Sequence, residues 1–131
     1  MPIGTEAAIR AAAFRAALRS FLRTSERVAR ESGLTPQRHL LLLLIKGSPD
    51  GSESATVTDL ARRLELAQSS VTELVNRAEA LGLVRRDRSD VDGRVAHLRL
   101  TAEGERRLAR AFRELEVERV ELRDAIAALH D

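Results

Sequence analysis

One stretch, residues 56–101 (TVTDLARRLELAQSSVTELVNRAEALGLVRRDRSDVDGRVAHLRLT), constrains the fold more than any other part of the chain. Its apolar positions change period along its length. Leu60, Ala61 and Leu64 form the inward face of one short helix. At about 100° per residue, Val71, Leu74, Val75, Ala78 and Leu81 form one arc of a second helix over residues 68–81. After Gly82 the period falls to two. Ala96, Leu98 and Leu100 alternate with Val95, His97 and Arg99, the pattern of a strand with one buried face.

The connections are readable too. Thr56-Val57 predicts a very short strand, after which Thr58 caps the first helix, with Asp59 in its opening turn where a carboxylate suits the helix dipole. Glu65-Leu66-Ala67 is the tight turn between the helices, and Leu83-Val84 opens a strand. Residues 85–94 read as a charged loop of four arginines and three aspartates, with Gly93 at the turn. Two helices and a basic β-hairpin make a winged helix-turn-helix. The second helix sets Ser69, Thr72, Glu73, Asn76 and Arg77, with Ala80, opposite its apolar arc. Small polar side chains over a buried back reach base edges without holding a helix off DNA. On this helix alone, a merely solvated arc fits equally well.

The flanks are helical. From residue 7 to about residue 31 there is no Gly or Pro, and Phe14, Leu18, Phe21, Ser25 and Val28 make a helical stripe opposite Arg15, Arg19, Arg23 and Arg30. Ser32-Gly33 ends that helix. Thr35 and Pro36 then start another, whose residues 40–45 are apolar on every side and predict a nearly all-buried core helix. His39 enters it alone. Residues 47–55 (GSPDGSESA) read as a mobile connector. Thr101 caps a last helix that is expected to run unbroken almost to residue 131. Leu108, Leu115, Leu122 and Leu129 fall seven apart, with Phe112 and Ile126 in the seam and Arg119 interrupting it. So long an apolar seam predicts a partner chain, hence a homodimer. The expected organisation is a long helix at 1–33, a winged helix-turn-helix domain at 34–101 and a helix at 102–131 that meets another chain.

Composition narrows the function. Aromatics are 2%, which leaves little for base stacking on single strands. The absence of Cys removes disulfides, thiolate metal sites and thiol redox sensing. His39, His97 and His130 are scattered, and Ser69-Ser70 has no neighbouring base, so neither a catalytic site nor a metal site is expected, and no cofactor is implied. The apolar run at 40–45 is far short of the ~20 residues of a membrane span, and no signal peptide is visible, so a cytoplasmic protein with no membrane association is expected. Net charge is +2 with a pI near 10.2. It is unevenly spread: +5 over residues 1–46, +1 over 54–100 and −2 over 101–131. That balance permits nucleic-acid binding without demanding it.

The order of motifs resembles the MarR family of bacterial transcription regulators. Residues 92–104, DGRVAHLRLTAEG, are similar to that family's D-x-R-x5-L-T-x-x-G signature, and Leu34-Thr35-Pro36-Gln37 and Gly82-Leu83-Val84-x-Arg86 match in register. The resemblance implies a homodimer on a pseudo-palindromic double-stranded operator, with the 68–81 helix in a major groove and the wing at a minor groove. It implies that 1–33 and 102–131 are dimerisation helices and 34–101 a DNA-binding domain. It implies DNA contacts from Ser69, Ser70, Thr72, Arg77 and the wing-tip Arg94; Gln68, Glu73, Asn76, Arg86 and Arg88, on the same helix and wing, complete the candidate DNA-binding set. Asp92 would brace the wing against an arginine such as Arg86. It also implies a small aromatic or anionic effector between the dimer helices and the winged domain, with Arg38 and His39 as candidate liners. Two positions depart from the pattern. Glu73 stands where the family usually has a basic residue, and Ala67 replaces the usual hydroxyl cap. A regulator, most simply a repressor, is the leading expectation. An architectural DNA-binding protein of low specificity and a winged-helix protein–protein module are the alternatives.

Overall fold

The computed structural model describes residues 1–88 and 93–129. Its elements run α1 (Thr5–Glu31), α2 (Pro36–Lys46), α3 (Val57–Leu64), α4 (Gln68–Ala80), β1 (Val84–Arg88), β2 (Ala96–Leu100), α5 (Ala102–Glu114) and α6 (Glu116–Ala128). The mainly helical winged helix-turn-helix expected from the apolar periods is the fold observed. β1 and β2 pair antiparallel, from Val84 opposite Leu100 to Arg88 opposite Ala96. Leu41, Leu42 and Ile45 of α2, Leu60 of α3, Val71 and Val75 of α4, and Leu83 and Leu98 of the hairpin are fully buried together. That core fixes α4 against the wing. α1 packs along α6, and a smaller cluster of Val28, Ala111 and Leu115 joins α1 to the end of α5.

Several local expectations change. Thr56, not Thr58, caps α3: its hydroxyl accepts the Asp59 N–H at 3.1 Å, while Val57 is already helical. The short strand expected at Thr56-Val57 reduces to one bridge a residue earlier, where Ala55 and Leu98 exchange backbone hydrogen bonds of 3.1 and 2.8 Å. Arg85 to Arg88 lie on β1 rather than in a loop, because cross-strand pairing continues through them. Leu81 is the C-cap of α4 and is 50% exposed, outside the apolar arc assigned to it. In α2, Leu40 and Leu43 are 44% and 40% exposed, so the helix is not buried on every side.

The connector at 47–55 is tied down. Asp50 accepts from the Ser52 N–H (2.9 Å) and the Ser48 hydroxyl, Arg99 donates to the Ser52 carbonyl (3.0 Å), and Lys46 pairs with Glu53 at 3.0 Å. The Ser52 bonds hold the Asp50 carboxyl below its ordinary range.

The last helix also breaks, at Leu115 (φ −102, ψ 6). The Phe112 carbonyl there takes the Leu115 N–H at 3.3 Å and the Arg119 guanidinium at 2.6 Å. A side chain entering the i to i−4 ladder is a known cause of a kink. The same guanidinium lies 3.6 Å from the centre of the Phe112 ring. Arg119, the intruder in the leucine seam, therefore caps the break.

Two glycines are dictated by geometry. Gly82 takes φ +74, which lets the chain turn from α4 into β1 while the Leu83 N–H reaches back to the Ala78 carbonyl at 2.9 Å. Gly104 is in the first turn of α5, where a Cβ would stand 2.1 Å from the Leu83 carbonyl oxygen.

Candidate nucleic-acid interface

Helix α4 is fixed from behind and open in front. Val71, Val75 and Ala78 are fully buried, whereas Ser69, Thr72, Glu73, Asn76 and Arg77 are all exposed, as the arc analysis expects. The turn before it is sharp because Glu65 adopts φ 56 and the Leu66 N–H bonds the Ala61 carbonyl at 3.1 Å. Ala67 provides no side-chain cap. Gln68, which would otherwise take that role, donates its amide to Thr58 Oγ1 at 3.3 Å and ties the start of α4 to α3. Glu73 is 3.4 Å from Arg77 one turn on, so its charge is answered within the helix.

The wing carries its arginines in different settings. Arg88 donates to the Gly93 carbonyl at 3.0 Å, just beyond the last strand pair of the hairpin, and Arg94 is exposed. Arg86 turns toward α4 and bonds Glu79 and Asn76. Asp92, the expected brace, lies outside the described residues. Arg85 pairs with Asp87 at 3.2 Å on the other face.

Arg38 and His39 part company. Arg38 lines an open groove of about 590 Å³ beside α4, with Thr35, Gln37, Ser70, Glu73 and Arg77. His39 faces a separate cavity of about 300 Å³ between α1, α2 and α5, walled by Phe21, Leu40, Leu43, Phe112 and Leu115. His39 is only 8% exposed, and burial lowers its pKa from the ordinary 6.5. Among the described residues, no group of three or more His, Asp or Glu could hold a metal ion, and no helix is long and apolar enough to cross a membrane.

Sequence reasoning missed Glu79, whose carboxylate meets Arg86 at 3.2 Å. The signal was its place in the last turn of a helix, where a carboxylate is unfavourable unless something pairs with it. It also missed that the start of α2 borders the polar arc of α4, which nothing in the periodicity of either helix reports.

A helix with this buried back and polar front, followed by an arginine-bearing hairpin, defines a winged helix-turn-helix protein. The MarR family profile matches residues 32–95. A putative transcriptional regulatory protein for the hcr operon of Thauera aromatica is 37% identical over 95 residues, 72% of this chain and 53% of that protein. The chain thus spans about half the length of this curated relative. Wild-type MarR from E. coli in its apo form superposes with a TM-score of 0.71 at 18% identity, covering 99% of this chain and 93% of that one. Overoxidized AbfR bound to DNA superposes with a TM-score of 0.59 at 26% identity, covering 76% and 70% of the two chains.

Proposed function

We propose that this chain is a homodimeric, sequence-specific, double-stranded DNA-binding transcription regulator acting in the cytoplasm. The carrying observation is the α4 surface: buried Val71, Val75 and Ala78 behind, exposed Ser69, Thr72, Asn76 and Arg77 in front. The AbfR complex supports DNA as the partner, and the Thauera protein supports regulation. Blocking a promoter is the simplest mechanism. On this reading residues 34–101 read DNA, while 1–33 and 102–131 pair two copies. The exposed Phe112, Val117, Val120, Ile126 and Leu129 of α5 and α6 are apolar surface that a second copy would cover. Two reading helices about a two-fold axis require half-sites roughly 34–36 Å apart. The cavity beside His39, apolar apart from His39, Ser25, Glu26 and Arg119, suits a small aromatic anion as effector.

Binding-site selection from random duplex DNA tests the proposal. A pseudo-palindrome with half-sites one helical turn apart is the expected result. Equal affinity for promoter and random sequence would replace it with an architectural role.

A further inference from the structure

β1 divides its charged side chains between two faces. Arg85 and Asp87 share one with Arg99, whose guanidinium is 3.4 Å from Asp87. Arg86 takes the other, above α4. Its Nε donates to Glu79 Oε1 at 3.2 Å and its Nη2 donates to Asn76 Oδ1. Its side chain is 27% exposed against 57% for Arg85, so Arg86 is a half-buried linker and not a free surface cation.

Both acceptors belong to one face of α4, three residues apart. Glu79 stands in the helix's last turn, facing the negative end of its dipole, and Arg86 supplies the cation that makes this tolerable. The contact also fixes the chemistry of Asn76. A guanidinium only donates, so the amide atom that it meets is the oxygen. The amino group is then the half of the Asn76 amide open to a ligand.

We propose that Arg86 and Glu79 are positioning residues that lock the wing to the reading helix and make Asn76 a donor-only contact on DNA. This rests on the DNA-reading function proposed above. An asparagine with both groups available matches adenine N6 and N7 together. A donor-only amide matches any single major-groove acceptor, guanine O6 or N7, thymine O4 or adenine N7, and loses the two-bond preference for adenine.

Glu79→Ala and Arg86→Met, singly and together, with Glu79→Gln as the mild variant, test this by site selection and by fluorescence anisotropy over a salt series. Circular dichroism checks that each variant folds. The clamp predicts that Glu79→Ala lowers the ratio of operator to random-duplex affinity about tenfold, although it removes a negative charge. Arg86→Met moves the base preference opposite Asn76 toward adenine. The double variant loses no more than the larger single effect, and Glu79→Gln, which keeps an acceptor oxygen, retains most of the ratio. A direct phosphate contact by Arg86 predicts the reverse: Glu79→Ala then strengthens binding to every sequence and steepens the salt slope, and the clamp is refuted. A wild type with no sequence preference would overturn the DNA-reading function and the role of Asn76 with it. The lock is then decided by melting temperatures, where coupling between Glu79→Ala and Arg86→Met retains it and additivity ends it.

Discussion

Gly104→Ala tests the tightest joint in the molecule. An alanine Cβ at this position would lie 2.1 Å from the Leu83 carbonyl oxygen and 3.1 Å from its carbon, whereas ordinary contact begins at 3.4 Å. Both groups are backbone, so α5 and the base of β1 must part by more than 1 Å. Overpacking of this kind costs about 1–3 kcal/mol. The same carbonyl accepts the Thr101 N–H at 3.0 Å, and weakening that bond adds about 0.5–1.5 kcal/mol. Against this stands the helix preference of alanine over glycine, about 1 kcal/mol. The expected net loss is about 2 kcal/mol, or roughly 8 °C in melting temperature for a domain of this size. Urea unfolding at fixed protein concentration measures it, since the proposed dimer would make apparent stability depend on concentration. An unchanged or higher midpoint would refute the reasoning, because alanine in an open helix turn stabilises.

Three further outcomes follow from the same contacts. Thr56→Ala should cost about 0.5–2 kcal/mol in urea unfolding through loss of the α3 cap, and Thr58→Ala less; equal losses would return the cap to Thr58. Folded His39 titrates below 6.5, so the unfolded chain takes up its proton first as pH falls. Its contribution therefore destabilises the fold progressively below pH 6.5, and His39→Leu should flatten the drop in melting temperature between pH 7 and 5. An identical pH profile in the variant would place the imidazole in water. Arg94→Ala should weaken operator binding and reduce the salt slope by about one; an unchanged slope would remove the wing tip from the interface.

Long periodic segments were legible in the sequence. The arc of Val71, Val75 and Ala78 and the alternation through Leu98 and Leu100 placed α4 and β2 because burial on one face imposes a period. Details set by competition between similar groups were not. Thr56 and Thr58 are both good caps, and the backbone pairing of Ala55 with Leu98 settles which one starts the helix. The break at Leu115 has no Gly or Pro to announce it; it depends on a guanidinium reaching a carbonyl seven residues back. The polar arc of α4 was visible, but the commitment of Asn76 and Arg86 to each other was not, since it joins side chains ten residues apart across two elements.

The joint at Gly104 has a mechanical meaning as well. The Leu83 carbonyl holds the start of α5, and the Thr101 hydroxyl donates to the Gly82 carbonyl at the end of α4. Three elements thus meet at one corner with no slack between them. A tilt imposed on α5 cannot be absorbed there as it could in a loop. It is passed to the base of the wing and the tail of α4 together, since both are bonded to the same residue at the start of α5.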